Sequence, residues 1–342
     1  MSKSSNTQKY GHFNCLIIGA GLAGLTAAQT LNRCGMTAAI VEASAAVGGR
    51  MASLTEASIP GFSSKVSFVF DHGAQYFTVR DERFGQMVEN WREIGVVRQW
   101  SEGFTASDGS AYMDGMARFR GAPDMAAIAA HLAEDLDVFL NTAVMKIERQ
   151  DPCWLLMTDS DREFSAGAII LTPPVPISLS LLNASDIKIA EDDRRALNRI
   201  EYEPCIAAVL VLDQPSKIPP PGGMWMLGTP ITWMADNHLK GISPGAGAVT
   251  IHAGAEFSEE YWHAEDQVIL AELTQAAEPW LGSAPVFQQV IRWPYSKPFM
   301  TYPKPCLASE SGLPLIFAGD AFAGPRVEGA FLSGLAAAQA LL

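Results

Sequence analysis

Residues 15–24 read CLIIGAGLAG, an apolar run that breaks into Gly19, Gly21 and Gly24. This is G-x-G-x-x-G placed after a strand-like run and before the helical pattern LAGLTAAQTLNRCG. Each glycine has a mechanical reason: a tight turn, close approach of the backbone to a pyrophosphate, and close packing of helix on strand. The helix start then turns its positive end toward phosphate. The next apolar run, TAAIVE, closes on Glu42, 18 residues after Gly24, where a carboxylate can accept hydrogen bonds from ribose hydroxyls. Glycine turns alone are common; the turn, the helix and Glu42 together define a strand–helix–strand dinucleotide unit.

Outward from this unit, residues 66–78 alternate as a strand. The stretch DERFGQMVENWREIG has helical spacing at Phe84, Met87, Val88, Trp91 and Ile94. A Gly-, Ser- and Asp-rich region covers 101–121, and a helix is expected from Met125 to Glu134. VFLNTAVMKIERQ, CWLLMTDS and AGAIILTPP read as three strands, ended by Pro173, Pro174 and Pro176. Further strands are expected at 205–212, 231–235, 248–254 and 286–293, with a helix near 259–278. PLIFAGDAF is a last strand before a glycine-broken turn and a closing helix. No solenoid-length repeat is visible. The reading is a discontinuous dinucleotide domain at 1–80, 135–175 and 306–342, with a substrate domain at 81–134 and 176–305.

The chain has 342 residues, 48% of them hydrophobic, with 24 basic against 37 acidic residues and a net charge of -13. That length and a mean hydropathy of +0.10 supply one or two cores; the polar first ten residues are the exception expected to stay unfolded. The negative charge opposes nucleic-acid binding, so the expected partner is a small molecule. No run approaches membrane-spanning length, and the start lacks a signal-peptide core; a cytoplasmic location is expected. Cys15, Cys34, Cys153, Cys205 and Cys306 are odd in number and lack C-x-x-C spacing, which fits free thiols in a reducing compartment. His12, His131, His238 and His263 have no zinc-type spacing, so no metal is expected.

Two additions point from a plain NAD unit to a flavin. Gly48, Gly49 and Arg50 form a second glycine turn ending in a guanidinium able to clamp phosphate. Gly319 and Asp320 follow an apolar strand, where a carboxylate could bind a ribityl hydroxyl, and Glu328, Gly329 and Ala330 then open a helix. IIGAGLAGLTAAQTL, VEASAAVGGRM and FAGDAFAGPRVEGAFLSG resemble the FAD fingerprints of the flavin amine oxidase superfamily. DHGAQYFTVRDERF, RGAPDM, ITWMADN, TIHAG, RWPYSKP and GPRVEGAFLSG together resemble the renalase family over nearly the whole chain.

The resemblance implies an α/β fold: a glutathione-reductase-like, FAD-binding Rossmann domain with an inserted α+β substrate domain. It implies noncovalent FAD held by Gly19, Gly21, Leu22, Ala23, Gly24, Glu42, Gly49, Arg50 and Met51. Gly73, Ala74, Gln75, Tyr76, Val144, Gly319, Asp320, Arg326 and Glu328 join them, and Gly329 and Ala330 present backbone amides to the ring. It further implies an oxidase taking a hydride from a dihydronicotinamide to flavin N5 and passing electrons to oxygen as hydrogen peroxide. His72, Asn237, His252, Arg292 and Tyr295 are the substrate-side candidates, with Trp293 as a further wall residue. Only one dinucleotide fingerprint exists, so a nicotinamide is expected as substrate. No residue is assigned as catalyst, because hydride transfer to a flavin needs no protein base at carbon. His72 stands where bacterial renalases often carry an apolar residue, and the 321–326 loop differs too, so both bear on specificity. The alternatives are an amine oxidase or desaturase, for which Lys297 would be the lysine to consider, and a non-catalytic flavin-binding redox sensor.

Overall fold

The computed structural model describes residues 8–59, 61–62, 66–228, 230–309 and 312–342; most of the polar start expected to be unfolded lies outside them. The chain divides into two compact units, Met1–Gly49 with Ala129–Glu201 and Pro298–Leu342, and Arg50–Ile128 with Tyr202–Lys297.

In the first unit the apolar run before Gly19 becomes the strand Gln8–Ile18. It pairs in parallel with Ala38–Val41 on one side and Arg162–Leu171 on the other. The sheet continues to Asp137–Phe139 beyond the former and to Leu315–Phe317 beyond the latter, both in parallel. Chain order therefore reverses at Gln8–Ile18, a topological switch point, and ligands of open α/β sheets bind beyond the carboxyl ends of strands at such points. Leu307–Ser309, Cys153–Thr158 and Val144–Gln150 add antiparallel neighbours. The helix Leu22–Arg33 buries Leu22, Leu25, Ala27, Ala28 and Leu31. The helix Val327–Gln339 lies against it so closely that a Cβ on Gly334 would collide with the Ala23 carbonyl.

The second unit is built on a sheet in the order Pro285–Met300, Glu201–Leu212, Ala248–Ala253, Ile231–Asp236, Gly223–Trp225, Val97–Ala106 and Ala111–Gly121. The run IAAVLVL is apolar throughout because both faces of its strand are covered. Ile206, Ala208, Leu210 and Leu212 share a core with Ile269, Leu273, Ala277 and Leu281 of the helix Asp266–Leu281. Val209 and Val211 pack instead with Phe68, Phe70 and Ala248. This division follows the two-residue alternation of a strand. The expected helix after residue 80 is Glu82–Glu93, opened by Asp81, whose side chain accepts from the Arg83 amide, and buried through Phe84, Val88 and Trp91.

Three expectations change. Residues 101–121, given no element from the sequence beyond their Gly, Ser and Asp content, form the greater part of two strands paired from Val97↔Gly121 to Thr105↔Ala111; cross-strand bonding overrides that composition. The strand expected over 66–78 stops at Asp71, where the following turn passes so near the Arg50 carbonyl that only a glycine fits at 73. The compact units also differ from the expected ranges. Residues 50–80 fall in the second unit, since Phe68 and Phe70 build its core. Residues 176–201 fall in the first, where the Ser185 hydroxyl accepts from the Ile147 amide at 2.8 Å. Residues 129–134 and 298–305 belong to the first as well.

Gly334→Val should lower stability by about 1–3 kcal/mol through overpacking and weaken FAD retention, because Ala23 lies in the first turn of the glycine-loop helix. Thermal melts and flavin occupancy of the purified variant measure both.

Candidate functional site

The first unit supplies a cradle. Gly19, with φ +101°, turns the chain off the strand, and a Cβ on Gly24 would collide with the Gly19 carbonyl. The helix ladder begins with the Leu25 amide on the Gly21 carbonyl at 3.0 Å, which leaves the amides of Leu22, Ala23 and Gly24 outside it. Nothing lies within 4 Å of where a Gly21 Cβ would stand, so a ligand can approach the backbone. The Gly48 amide donates to the Ala20 carbonyl at 2.9 Å, tying the second glycine turn to the first. Glu42 accepts from the Ala20 amide at 2.6 Å and from the Ser44 amide at 2.8 Å, which fixes its carboxylate at the rim. Amides, open glycine backbone and an anchored carboxylate together fit the phosphate and ribose of a dinucleotide.

After the parallel strand Leu315–Phe317, at the same edge of the sheet as Gly19, the Gly319 amide donates to the Ser333 hydroxyl at 2.8 Å, and Asp320 opens a short helix. Arg326 caps the helix Val327–Gln339, with Glu328 buried in its first turn. The Ala330 amide donates to the Arg326 carbonyl at 3.0 Å. That corrects one expectation: Ala330 is already in the ladder, and of the two amides expected to face the ring only that of Gly329 precedes it. Val144 begins an antiparallel strand opposite Thr158.

Gly49 closes the first unit; Arg50, Met51 and Gly73–Tyr76 belong to the second. Arg50 bonds the carbonyls of Tyr295 at 3.3 Å and Ser296 at 3.1 Å. The Ala74 amide donates to the Arg50 carbonyl at 2.8 Å. The centre of this unit is a pair that sequence reading missed. Asp71 and Lys240, both without exposed side-chain surface, meet at 2.6 Å, and the ammonium also sits 4.8 Å from the Trp100 ring centroid. The Asp71 carboxylate accepts from the Ser53 hydroxyl at 2.6 Å and the Met125 amide at 3.0 Å. Its carbonyl accepts from Gln75 and from Thr250. Burial lowers the Lys240 pKa, with Asp71 opposing.

Beside the pair, the His72 ring stacks on Trp293 at 5.4 Å and 13°. The His72 carbonyl accepts two donors, Trp293 Nε1 at 3.2 Å and His252 Nε2 at 3.0 Å. Since a carbonyl only accepts, His252 carries its proton on Nε2. Burial pushes His252 down to about 4 and lowers His72 as well, although Asp71 opposes the latter. Both rings are neutral near pH 7. Tyr76 joins Trp100, Phe104 and Trp233 with ring centroids 5.2–6.3 Å from its own, and burial raises its pKa.

The other substrate-side candidates are held by the chain itself. Asn237 donates to the Ala248 carbonyl and the Thr250 hydroxyl. Arg292 donates to the carbonyls of Trp262 and Ala264 and pairs with Asp266 at 2.7 Å, so its guanidinium is used inside the second unit. Tyr295 meets Tyr202 edge-on at 5.5 Å. Lys297 pairs with Glu203 at 3.6 Å in solvent. Among the described residues no group of three or more His, Cys, Asp or Glu side chains could hold a metal ion, and no helix is long and apolar enough to cross a membrane.

Residues 17–91 match the model of the NAD(P)-binding Rossmann-like domain, and residues 96–342 match that of the flavin containing amine oxidoreductases. The second match spans well over half of the chain, which therefore belongs to the flavin-containing amine oxidoreductase family. It is an FAD-dependent oxidoreductase, with the Rossmann-like and amine-oxidase parts expected of that class. Among solved structures it is similar to a putrescine oxidase mutant with redesigned cofactor binding, at 15% identity and TM-score 0.72 over 98% of this chain and 99% of that one. The wild-type putrescine oxidase bound to putrescine gives 16% and 0.68, over 97% and 99%. A protein assigned as a protoporphyrinogen oxidase from Exiguobacterium sp. 255-15 gives 13% and 0.68, over 98% of each chain. At such identities the likeness is one of fold.

Lys240→Met should destabilise the second unit by roughly 3–5 kcal/mol, because it leaves Asp71 buried without its partner, while the double change Asp71→Asn with Lys240→Met should recover much of the loss. Urea unfolding of the three proteins gives the comparison. His252 predicts an acid limb. Its folded pKa lies below the unfolded value, so the unfolded chain binds more protons between about 6.5 and 4 and stability falls as pH drops through that window. The contribution lost between pH 7 and pH 5 is about 2 kcal/mol, and His252→Gln should flatten the difference between melts at those two pH values.

Proposed function

We propose that the chain is a renalase-like oxidase that takes a hydride from a dihydronicotinamide and delivers the electrons to oxygen as hydrogen peroxide. FAD, when bound, supplies the hydride acceptor at N5 and the two-electron route to oxygen. In this reading the first unit holds the dinucleotide through the open amides at 22–24, with Glu42 on the ribose and Asp320 on the ribityl chain. The residues of the second unit bind and orient the donor.

One observation carries the choice of donor. The flat His72–Trp293 stack is neutral, and the carboxylate next to it, Asp71, is buried in its ion pair with Lys240. An ammonium substrate wants a negative or electron-rich partner at its nitrogen. A neutral, planar dihydropyridine wants an aromatic face, which this segment offers. No base is needed at carbon, in keeping with two histidines whose pKa values are lowered and whose carbonyl and ring contacts hold them in place. The rival, oxidation of an amine, is favoured by the family's description and by the putrescine-bound relative. The same Asp71–Lys240 pair speaks against it.

Anaerobic stopped-flow mixing of the FAD-loaded protein with a panel of donors tests this. Ordinary and isomeric dihydronicotinamides should bleach the flavin within seconds, and putrescine and other amines should not. Bleaching by amines alone would establish the rival, and bleaching by no donor would favour a redox sensor. On admitting oxygen, the productive donors should give hydrogen peroxide in equal amount.

A further inference from the structure

Two polar atoms in the segment after Asp71 are buried and have no partner among the described residues: His72 Nδ1 and Gln75 Oε1. Buried polar atoms left unmatched cost free energy, so a pair of them within four residues marks a place where a partner from outside the chain would be stabilised. The Gln75 amide cannot be turned to relieve this. Its nitrogen donates to the carbonyls of Asp71 and Gly73, so the oxygen is obliged to face the other way, as an acceptor. Gln75 is 7% exposed and its backbone neighbours are pinned, Asp71 by Lys240 and Ala74 by the Arg50 carbonyl.

The His72 ring is equally constrained. Its plane is set by the stack on Trp293, and its backbone by the two donors on its carbonyl. Neutral imidazole can carry its proton on Nδ1. With the proton there, the segment offers one donor, from His72, and one acceptor, from Gln75, beside an aromatic wall. A group that met both would present a carbonyl and an N–H.

We propose that His72 Nδ1 and Gln75 Oε1 form a carboxamide-recognition pair, in which the ligand's carbonyl accepts from His72 and its NH₂ donates to Gln75. The inference rests on the proposed function for its choice of ligand, the carboxamide of a dihydronicotinamide. The pyrimidine edge of a flavin carries the same –CO–NH– chemistry and is the other source to be separated. His72 and Gln75 are specificity residues here, and neither takes part in bond breaking.

The test uses FAD-loaded protein and two probes, nicotinamide mononucleotide and nicotinic acid mononucleotide, which differ in carboxamide against carboxylate. Binding is read by tryptophan fluorescence and by ¹⁵N shifts of labelled histidine. The wild type should prefer the carboxamide by about tenfold or more, since a site built for a hydrogen-bonding group rejects the analogue that misplaces it. Gln75→Met and His72→Met should each erase most of that preference. His72→Asn, whose amide nitrogen can take the place of Nδ1, should restore part of it, and the FAD occupancy of each variant is measured alongside. Equal affinity of the wild type for both probes, or binding of neither, overturns the proposal. So does loss of FAD from the Met variants with the probe ratio unchanged, which would assign the pair to the flavin. If the probe preference holds but no dihydropyridine bleaches the flavin, the oxidase reading fails and the recognition pair stands.

Discussion

The second unit is organised around one buried charge pair. Asp71 and Lys240 exclude water completely, and desolvation on that scale is repaid only when each remaining lone pair and proton finds a partner. Here Ser53 and the Met125 amide donate to the other carboxylate oxygen, and the Trp100 ring lies beside the ammonium. The Phe68–Asp71 strand, the chain near 125 and the turn carrying Lys240 are thereby fixed to one another. Such a pair adds little net stability over an apolar substitute, but it tolerates no shift in register, since a one-residue slip would bury two uncompensated charges.

The pair also sets the electrostatics of its neighbours. With Asp71 held by Lys240, the adjacent histidines gain little from protonation, and burial keeps both neutral. A neutral imidazole on an indole makes a hydrogen-bonding wall without net charge. The charge pair and the uncharged wall are therefore one arrangement: the first neutralises the Asp71 carboxylate internally, and the second carries no net charge.

The first unit was largely legible because its signals are local. The turn at Gly19, the helix after it and the carboxylate at Glu42 lie within one short stretch, and the structure joins them by direct hydrogen bonds. The hub of the second unit was not legible, because Lys240 meets Asp71 across 169 positions and reads in sequence as a loop lysine after DNH. Arg292 misled in the opposite sense. Its guanidinium has the chemistry of a phosphate ligand, yet Asp266 and two carbonyls take it. The stretch FDHGAQYFT places an Asp, a His and a Gln within five positions. In the structure the Asp is an internal counter-ion, and the unmatched atoms belong to His72 and Gln75.

The contact of Gly334 on Ala23 bears on how the chain reaches this state. The glycine-loop helix is synthesised before the second unit, and Gly334, which covers it, follows Ala23 by more than 300 positions. Until then the early helix has an apolar flank with nothing of its own unit to shield it, while the whole of the second unit emerges and can fold. Vectorial synthesis thus reverses the order that the sequence implies. The inserted unit is complete before the unit that interrupts itself to contain it.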